Sequence, residues 1–183
     1  NLSKNFDGHL RISTTQGRAT GIIVNDDTPK IVIVPTHGDE DGLISGVFRF
    51  KYDNDYTSST DTEIRYDLFG SADSGIDYDL PLSGVFIIPA GDNYYDLILP
   101  IIQDEIVEDT ETVGIVAEIN SALAGITFPV KTSQLNIFDD DEAKISVSVD
   151  PASANETNFG ETTTVRFTIT LDKQTKTGFS LSY

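Results

Sequence analysis

Apolar residues alternate with polar ones along most of this 183-residue chain. A β-strand places every second side chain on one face, whereas an amphipathic helix needs apolar residues three or four positions apart. At positions 48–52, for example, Phe48, Phe50 and Tyr52 fall on one face and the residues between them on the other. No stretch of the sequence keeps the helical spacing for three turns. The alternation therefore predicts an all-β protein.

Seven alternating stretches lie between positions 31 and 138, separated by turn-forming residues such as Asp41-Gly42. Their positions are 31–34, 47–52, 63–68, 85–88, 95–101, 113–119 and 135–137. Short strands bounded by turn signals are typical of two antiparallel sheets packed face to face. We therefore predict a seven-stranded antiparallel β-sandwich.

A short motif occurs twice and divides the chain. Residues 24–31, VNDDTPKI, return 114 positions later as residues 138–145, FDDDEAKI. A repeat of this kind is typical of tandem modules. We predict that residues 1–27 end one module, residues 28–141 form a complete module, and residues 142–183 open a third. Half a sandwich would expose bare sheet edges, so we expect the natural protein to continue in both directions.

The charge and composition exclude several classes of protein. The chain has 30 Asp and Glu residues against 12 Lys and Arg residues, which gives a formal net charge of −18. Nucleic acid is not an expected partner, because contacts with phosphate need basic side chains. Cysteine is absent, so disulfides and thiolate metal sites are excluded. The apolar runs are too short to span a membrane, and we expect no membrane insertion by these residues.

The acidic residues concentrate in loops at one end of the predicted sandwich. One group follows the fifth strand and the other follows the seventh: Asp104, Glu105, Glu108, Asp109 and Glu111, then Asp139, Asp140, Asp141 and Glu142. From the directions of the strands, Asp77 and Glu40 lie in loops at the same end. Two carboxylates about 4 Å apart repel each other by roughly 4 kcal/mol at an effective dielectric near 20. Such a group is usually neutralised by a cation, although solvated loop acids would give the same pattern.

Oxygen is the only plentiful ligand type, since His9 and His37 are the only histidines and both lie in polar loop sequence. Oxygen ligands suit Ca²⁺ or Mg²⁺, and carboxylates from several loops favour Ca²⁺, which accepts irregular geometry. We predict a calcium site. No Ser-His-Asp arrangement is indicated, and the absence of Trp argues against a sugar-binding cleft with paired catalytic carboxylates. We therefore expect no enzymatic activity.

Four motifs in this order resemble the Calx-beta domain family. They are GSADSGIDY at 70–78, IIPAG at 87–91, IIQDEIVEDTE at 101–111 and FDDD at 138–141. The resemblance spans the complete module, and the two ends of the chain match partial modules. It implies a seven-stranded immunoglobulin-like sandwich, found in tandem in sodium/calcium exchangers, in some integrin tails and in large surface adhesins.

The resemblance also implies which residues bind calcium. In the calcium-binding members, ligands come from the loop between the first two strands, the Gly-x-Asp-Tyr turn, the acidic loop after strand five and the terminal acid triplet. These positions are Glu40, Asp77, Asp104, Glu108, Glu111, Asp139, Asp140 and Asp141. Asp39 and Asp41 are equal candidates with Glu40. Gln103 and Ile106 depart from the denser acidic run of the exchangers, which leaves the number of ions open.

We expect this chain to be a calcium-binding structural repeat of a large extracellular or cell-surface protein, such as an adhesin stalk or a filament. Calcium would stiffen each module and its junctions. The expected partners are calcium ions, neighbouring modules of the same polypeptide, and other cell-surface proteins or glycans. The alternatives are a regulatory calcium sensor of a membrane transporter and an accessory module of a secreted hydrolase. An array of modules favours the stalk, because a sensor needs only a pair.

Overall fold

The computed structural model describes residues 28–182, which fold into β-strands and one short 3-10 helix, Asp53–Asp55. The strands are β1 (Ile31–Thr36), β2 (Gly38–Asp39), β3 (Gly46–Tyr52), β4 (Thr62–Gly70), β5 (Ser83–Ile88), β6 (Tyr94–Leu99), β7 (Ile106–Val107), β8 (Glu111–Ser121), β9 (Thr132–Phe138), β10 (Ile145–Asp150), β11 (Arg166–Leu171) and β12 (Gln174–Thr175). The prediction of an all-β fold is confirmed. Within residues 28–182, no helix has the length and apolar character needed to cross a membrane. The predicted end of a preceding module, residues 1–27, lies outside this range.

Two sheets form the predicted sandwich. One is antiparallel with the order β1-β3-β6. The other has the order β2-β9-β8-β4-β5 and is antiparallel except where β2 pairs with β9. Each of the seven predicted stretches has its strand, namely β1, β3, β4, β5, β6, β8 and β9. The added strands β2 and β7 have two residues each, too few to show an alternating pattern.

The core lies between the two sheets and is built by the alternating residues. Phe48, Phe50 and Tyr52 of β3 are at most 1% exposed, and the buried hydrophobic cluster falls entirely between positions 31 and 137. The hydroxyl group of Tyr52 donates a hydrogen bond of 2.6 Å to Thr62 Oγ1 in the facing sheet. This satisfies two buried polar groups, so the hydroxyls do not oppose the burial of the surrounding aromatic rings.

The chain after the sandwich forms a separate ribbon. β10 and β11 pair antiparallel with each other, from Ile145 opposite Leu171 to Asp150 opposite Arg166, and their side chains are almost all exposed. β12 then returns to the sandwich and pairs in parallel with β7. The ribbon lies where we predict the opening strands of a further module, and the boundary between residues 141 and 142 stays a prediction.

Candidate metal centre

The turn between β4 and β5 holds Asp77 inward at one end of the sandwich. The backbone N–H of Asp77 donates to Asp73 O at 2.9 Å, and Asp73 N–H donates to Asp77 Oδ2 at 2.5 Å. Ile102 N–H donates to Asp77 O at 3.0 Å, which attaches the turn to the chain just after β6. As a result Asp77 is only 3% exposed although it lies in a loop.

The acidic loop after β6 brings Glu108 and Glu111 to the same place. Glu111 begins β8, and Glu108 immediately follows β7. One carboxylate oxygen from each of these residues and one from Asp77 lie within 4.8 Å of one another. Three carboxylates at such distances can surround a single metal ion.

Hydrogen bonds connect this loop to the end of β9. Glu108 N–H donates to Asp139 Oδ2 at 3.2 Å. Within the loop, Ile106 N–H donates to Asp104 Oδ1 at 2.7 Å, which turns the Asp104 carboxylate back toward its own chain. Asp139 and Asp141 are half-buried, whereas Asp140 is exposed. The structure therefore brings the acidic loop together with two of the three acids of the terminal triplet.

Glu40, which follows β2, is the buried acid of its loop. It is 4% exposed, while Asp41 is exposed and Asp39 is half-buried. Glu40 N–H donates to Phe138 O at 3.0 Å, so its backbone is fixed against the end of β9. The charges of Asp139 and Asp104 act on its carboxyl group. Among the three candidate acids of this loop, Glu40 is the one that faces the other predicted ligands.

Burial and mutual repulsion raise the pKa values of the carboxyl groups at this end. Burial raises the pKa of Glu40 to about 7, and the neighbouring charges of Asp139 and Asp104 raise it as well. Burial also raises the pKa of Glu111 to about 7. The pKa values of Glu108 and Asp139 are raised too, again chiefly by burial. A raised pKa means that the ionised form of the carboxyl group is disfavoured. A cation close to the group would stabilise that ionised form.

Four buried carboxylate oxygens at this end have no hydrogen-bond partner among residues 28–182. They are Glu40 Oε2, Glu111 Oε2, Asp139 Oδ1 and Asp141 Oδ2. Buried polar atoms in folded proteins are nearly always paired, so unpaired ones indicate a partner outside the protein chain. The atoms belong to residues from three different loops. A metal ion with several oxygen ligands would satisfy them together.

Two lysines that were not predicted from the sequence, Lys173 and Lys176, also lie at this end. Lys176 Nζ lies 2.7 Å from Glu111 Oε1, 3.0 Å from Glu108 Oε1 and 3.5 Å from Asp77 Oδ2. Lys173 Nζ lies 2.5 Å from Asp141 Oδ1. Both lysines belong to the part of the chain that we assigned to the next module. Their one sequence signal is that two lysines in four residues stand out in a chain with only 12 basic residues.

Comparisons with known proteins support the fold. No family model and no curated protein matches the sequence. Among solved structures, the chain is similar to an apo-form Calx CBD1 domain, with a TM-score of 0.50 and 22% identity over 63% of this chain and 100% of that domain. It is also similar to CBD12 from CALX1.2, with a TM-score of 0.49 and 21% identity, and to the calcium binding domain CBD12 of CALX1.1, with 0.46 and 22%.

The matches to the two CBD12 structures cover 61% and 62% of this chain and 44% of each of those chains, so this chain spans less than half of their length. The likeness to the CBD1 domain shows a Calx-beta-like sandwich. The all-β, immunoglobulin-like sandwich implied by the four sequence motifs is thereby confirmed, while the tandem arrangement stays a prediction.

Proposed function

We propose that the acidic end of this sandwich binds calcium. The observation that carries the proposal is the burial of unpaired carboxylates. Glu40 is 4% exposed and Glu111 is 9% exposed, yet each has an oxygen without a hydrogen-bond partner in the described part of the chain. Oxygen ligands drawn from several loops suit Ca²⁺, which takes six to eight of them in flexible geometry. The Calx-beta-like fold agrees with this proposal, because the acids lie in the loops from which the resemblance to that family implies calcium ligands.

The residues divide into two groups that would share the binding. Asp77, Glu108 and Glu111 form the compact group whose oxygens lie within 4.8 Å of one another. Glu40, together with Asp104, Asp139 and Asp141, forms the adjoining group that contains the other unpaired buried oxygens. Asp140 is exposed and would add charge near the site without being enclosed by it.

Calcium binding fits a regulatory module better than a passive stalk repeat. The acidic end contacts the following segment through ion pairs from Lys173 and Lys176, and an incoming cation would compete for the same carboxylates. Binding would therefore change a contact within the chain, which is the property that a sensor needs. We accordingly favour the calcium-sensing role, with a binding and not a catalytic function.

The stalk repeat is the second candidate. It is supported by the motif that recurs after 114 positions, which is expected of a tandem array. The extracellular location and the binding of other surface proteins or glycans belong to this candidate and stay predictions, as does the role of a module accessory to a secreted hydrolase.

Thermal unfolding with millimolar calcium and with a chelator tests calcium binding. A ligand that binds only the native state at one hundred times its Kd adds about 2.7 kcal/mol to the free energy of unfolding. We expect a higher midpoint in calcium, and we expect Asp77→Asn and Glu111→Gln to abolish the increase. Glu118→Gln is the matched control, because Glu118 is an exposed acid of β8 away from the site. Equal midpoints with and without calcium in the unchanged protein contradict the proposal.

A further inference from the structure

The segment from Asp172 to Lys176 is attached to the acidic end by its backbone. In the parallel pair of β12 with β7, Gln174 lies opposite Ile106 and Thr175 opposite Val107. Lys176 N–H then donates to Val107 O at 3.0 Å. Since Glu108 follows Val107 directly, this pairing delivers the side chain of Lys176 to the proposed calcium ligands.

The ammonium group of Lys176 lies among the three carboxylates that form the compact group. It contacts Glu111 Oε1 at 2.7 Å, Glu108 Oε1 at 3.0 Å and Asp77 Oδ2 at 3.5 Å. The side chain is 33% exposed, whereas those of Asp77 and Glu108 are 3% and 6% exposed. A lysine ammonium offers three donors and one positive charge, and here it directs them to three buried acids.

Lys176 and a calcium ion cannot use these oxygens together. Calcium needs its oxygen ligands at about 2.3–2.6 Å, which would bring the ion close to the ammonium group. A divalent ion and an ammonium group about 4 Å apart repel by roughly 8 kcal/mol even at an effective dielectric of 20. The lysine supplies one positive charge to three carboxylates, so the group stays negative and still attracts a divalent ion.

We propose that Lys176 is a tethered competitor of calcium. In the calcium-free protein it occupies the acidic end, and calcium binding expels it and releases the segment that carries it from β7. Lys173, paired with Asp141 at 2.5 Å, is a second anchor of the same segment and leaves with it. This inference rests on the proposed calcium binding, and it assigns the regulation of that site to the residues after the sandwich.

The tether makes the competition effective. A group joined to its site by a short chain acts at an effective concentration in the millimolar range. Calcium can bind only those molecules in which the segment is detached. The apparent affinity for calcium is therefore the intrinsic affinity multiplied by the fraction of such molecules. Replacing Lys176 with an uncharged residue of similar length removes the competitor while leaving the proposed ligands in place.

Calcium titration calorimetry on the full chain and on three variants tests the inference. We expect Lys176→Met to bind calcium about tenfold more tightly than the unchanged protein, which corresponds to about 1.4 kcal/mol. Lys176→Arg keeps the charge and should bind no more tightly than the unchanged protein. Lys131→Met is the matched control for the loss of one positive charge, because Lys131 is exposed and precedes β9, whose other end reaches the site. It should change the affinity by less than about twofold.

Hydrogen exchange provides the second measurement. The amide of Lys176 is bonded to Val107 O, and our proposal assigns this contact to the protein without calcium, so we expect the amide to exchange slowly in chelator and fast in calcium. Unchanged or slower exchange in calcium would overturn the release of the segment. Calcium binding by Lys176→Met with the affinity of the unchanged protein would overturn the competition alone. Absence of calcium binding in every protein, Lys176→Met included, would instead overturn the proposed function on which the inference rests.

Discussion

Glu40 is a candidate calcium ligand because of its position in the fold and not because of its chemistry. Glu40 is one of three consecutive acids, Asp39, Glu40 and Asp41, and the sequence offers no reason to choose among them. The choice comes from the hydrogen bond between Glu40 N–H and Phe138 O, a contact between residues far apart in the chain. The sequence could predict the type of ligand and the loop, but not which carboxylate is buried.

The contacts of Lys176 are even harder to predict from the sequence. The ion pair of Lys176 with Glu111 joins residues 65 positions apart, across a ribbon that has no part in the core. No local pattern predicts such a contact. The acids of the site could be predicted because their loops lie at strand ends whose direction the alternating pattern fixes, whereas the basic partner could be found only in the folded structure.

The stability of the calcium-free protein should depend on pH through Glu40. Its pKa rises from 4.5 to about 7 on folding, chiefly because of burial. A carboxyl group of this kind contributes full stability below its unfolded pKa, and the contribution is lost as the pH rises through the folded value. We therefore expect the unfolding midpoint in chelator to fall between pH 5 and pH 8 by an amount of the order of 5 °C. Circular dichroism melts at several pH values measure it.

The matched variants for this pH profile are Glu40→Gln and Glu118→Gln. The first removes one titrating group and should make the fall smaller, although Glu111, whose pKa is also raised to about 7, still contributes to it. The second removes an exposed acid and should leave the profile unchanged. A midpoint that rises from pH 5 to pH 8 in chelator would show that the ionised form of Glu40 is not the disfavoured one.

At the level of strands, the alternation of apolar and polar residues predicted the positions of the long strands. β3 and β4 each combine buried residues on one face with mostly polar residues on the other, and this contrast is visible in the sequence. Two parallel pairs, β2 with β9 and β12 with β7, were not predicted from the sequence. Each contains two residues per strand, so the surrounding loops and not an intrinsic pattern determine them.

The contact between the end of β4 and the start of β8 requires a glycine. Gly70 has φ of 151°, and a Cβ atom at this position would lie 2.0 Å from Thr112 O, which is backbone and cannot rotate away. Gly70→Ala should therefore lower the free energy of unfolding by more than about 2 kcal/mol. Because Thr112 follows Glu111 directly, the same change should also weaken calcium binding.

Gly91→Ala is the control for this strand contact. Gly91 also has a positive φ, 89°, but a Cβ atom there would meet nothing within 4 Å. It should cost only the backbone strain, about 1 kcal/mol, and leave calcium binding unchanged. Urea unfolding of both variants compares the two costs. Equal losses would show that the crowding at Thr112 O relaxes easily.

At the scale of the molecule, the sandwich should fold without the ribbon. The buried hydrophobic cluster lies between positions 31 and 137, whereas β10 and β11 expose nearly all their side chains. We expect a protein of residues 28–142 to unfold cooperatively, because it contains every strand of both sheets. Residues 142–183 alone should not fold, since an isolated two-stranded ribbon is marginal in water.

Calorimetry and circular dichroism on the two pieces test this division. A broad, non-cooperative transition of residues 28–142 would show that the predicted boundary is misplaced. The protein of residues 28–142 lacks Lys173 and Lys176. If it unfolds cooperatively, it is a folded sandwich whose acidic end has neither lysine.

The position of Lys176 has a consequence for the speed of the response. An open acidic loop captures ions as fast as they diffuse to it, so its response follows the concentration of calcium directly. Here an ammonium group bonded to Glu108 and Glu111 lies where the ion must arrive, and its segment is joined to β7 by backbone hydrogen bonds. The lysine must depart before the loops can close around an ion. At high calcium the rate of capture would then stop rising with the calcium concentration and level off at the rate at which these two strand residues detach.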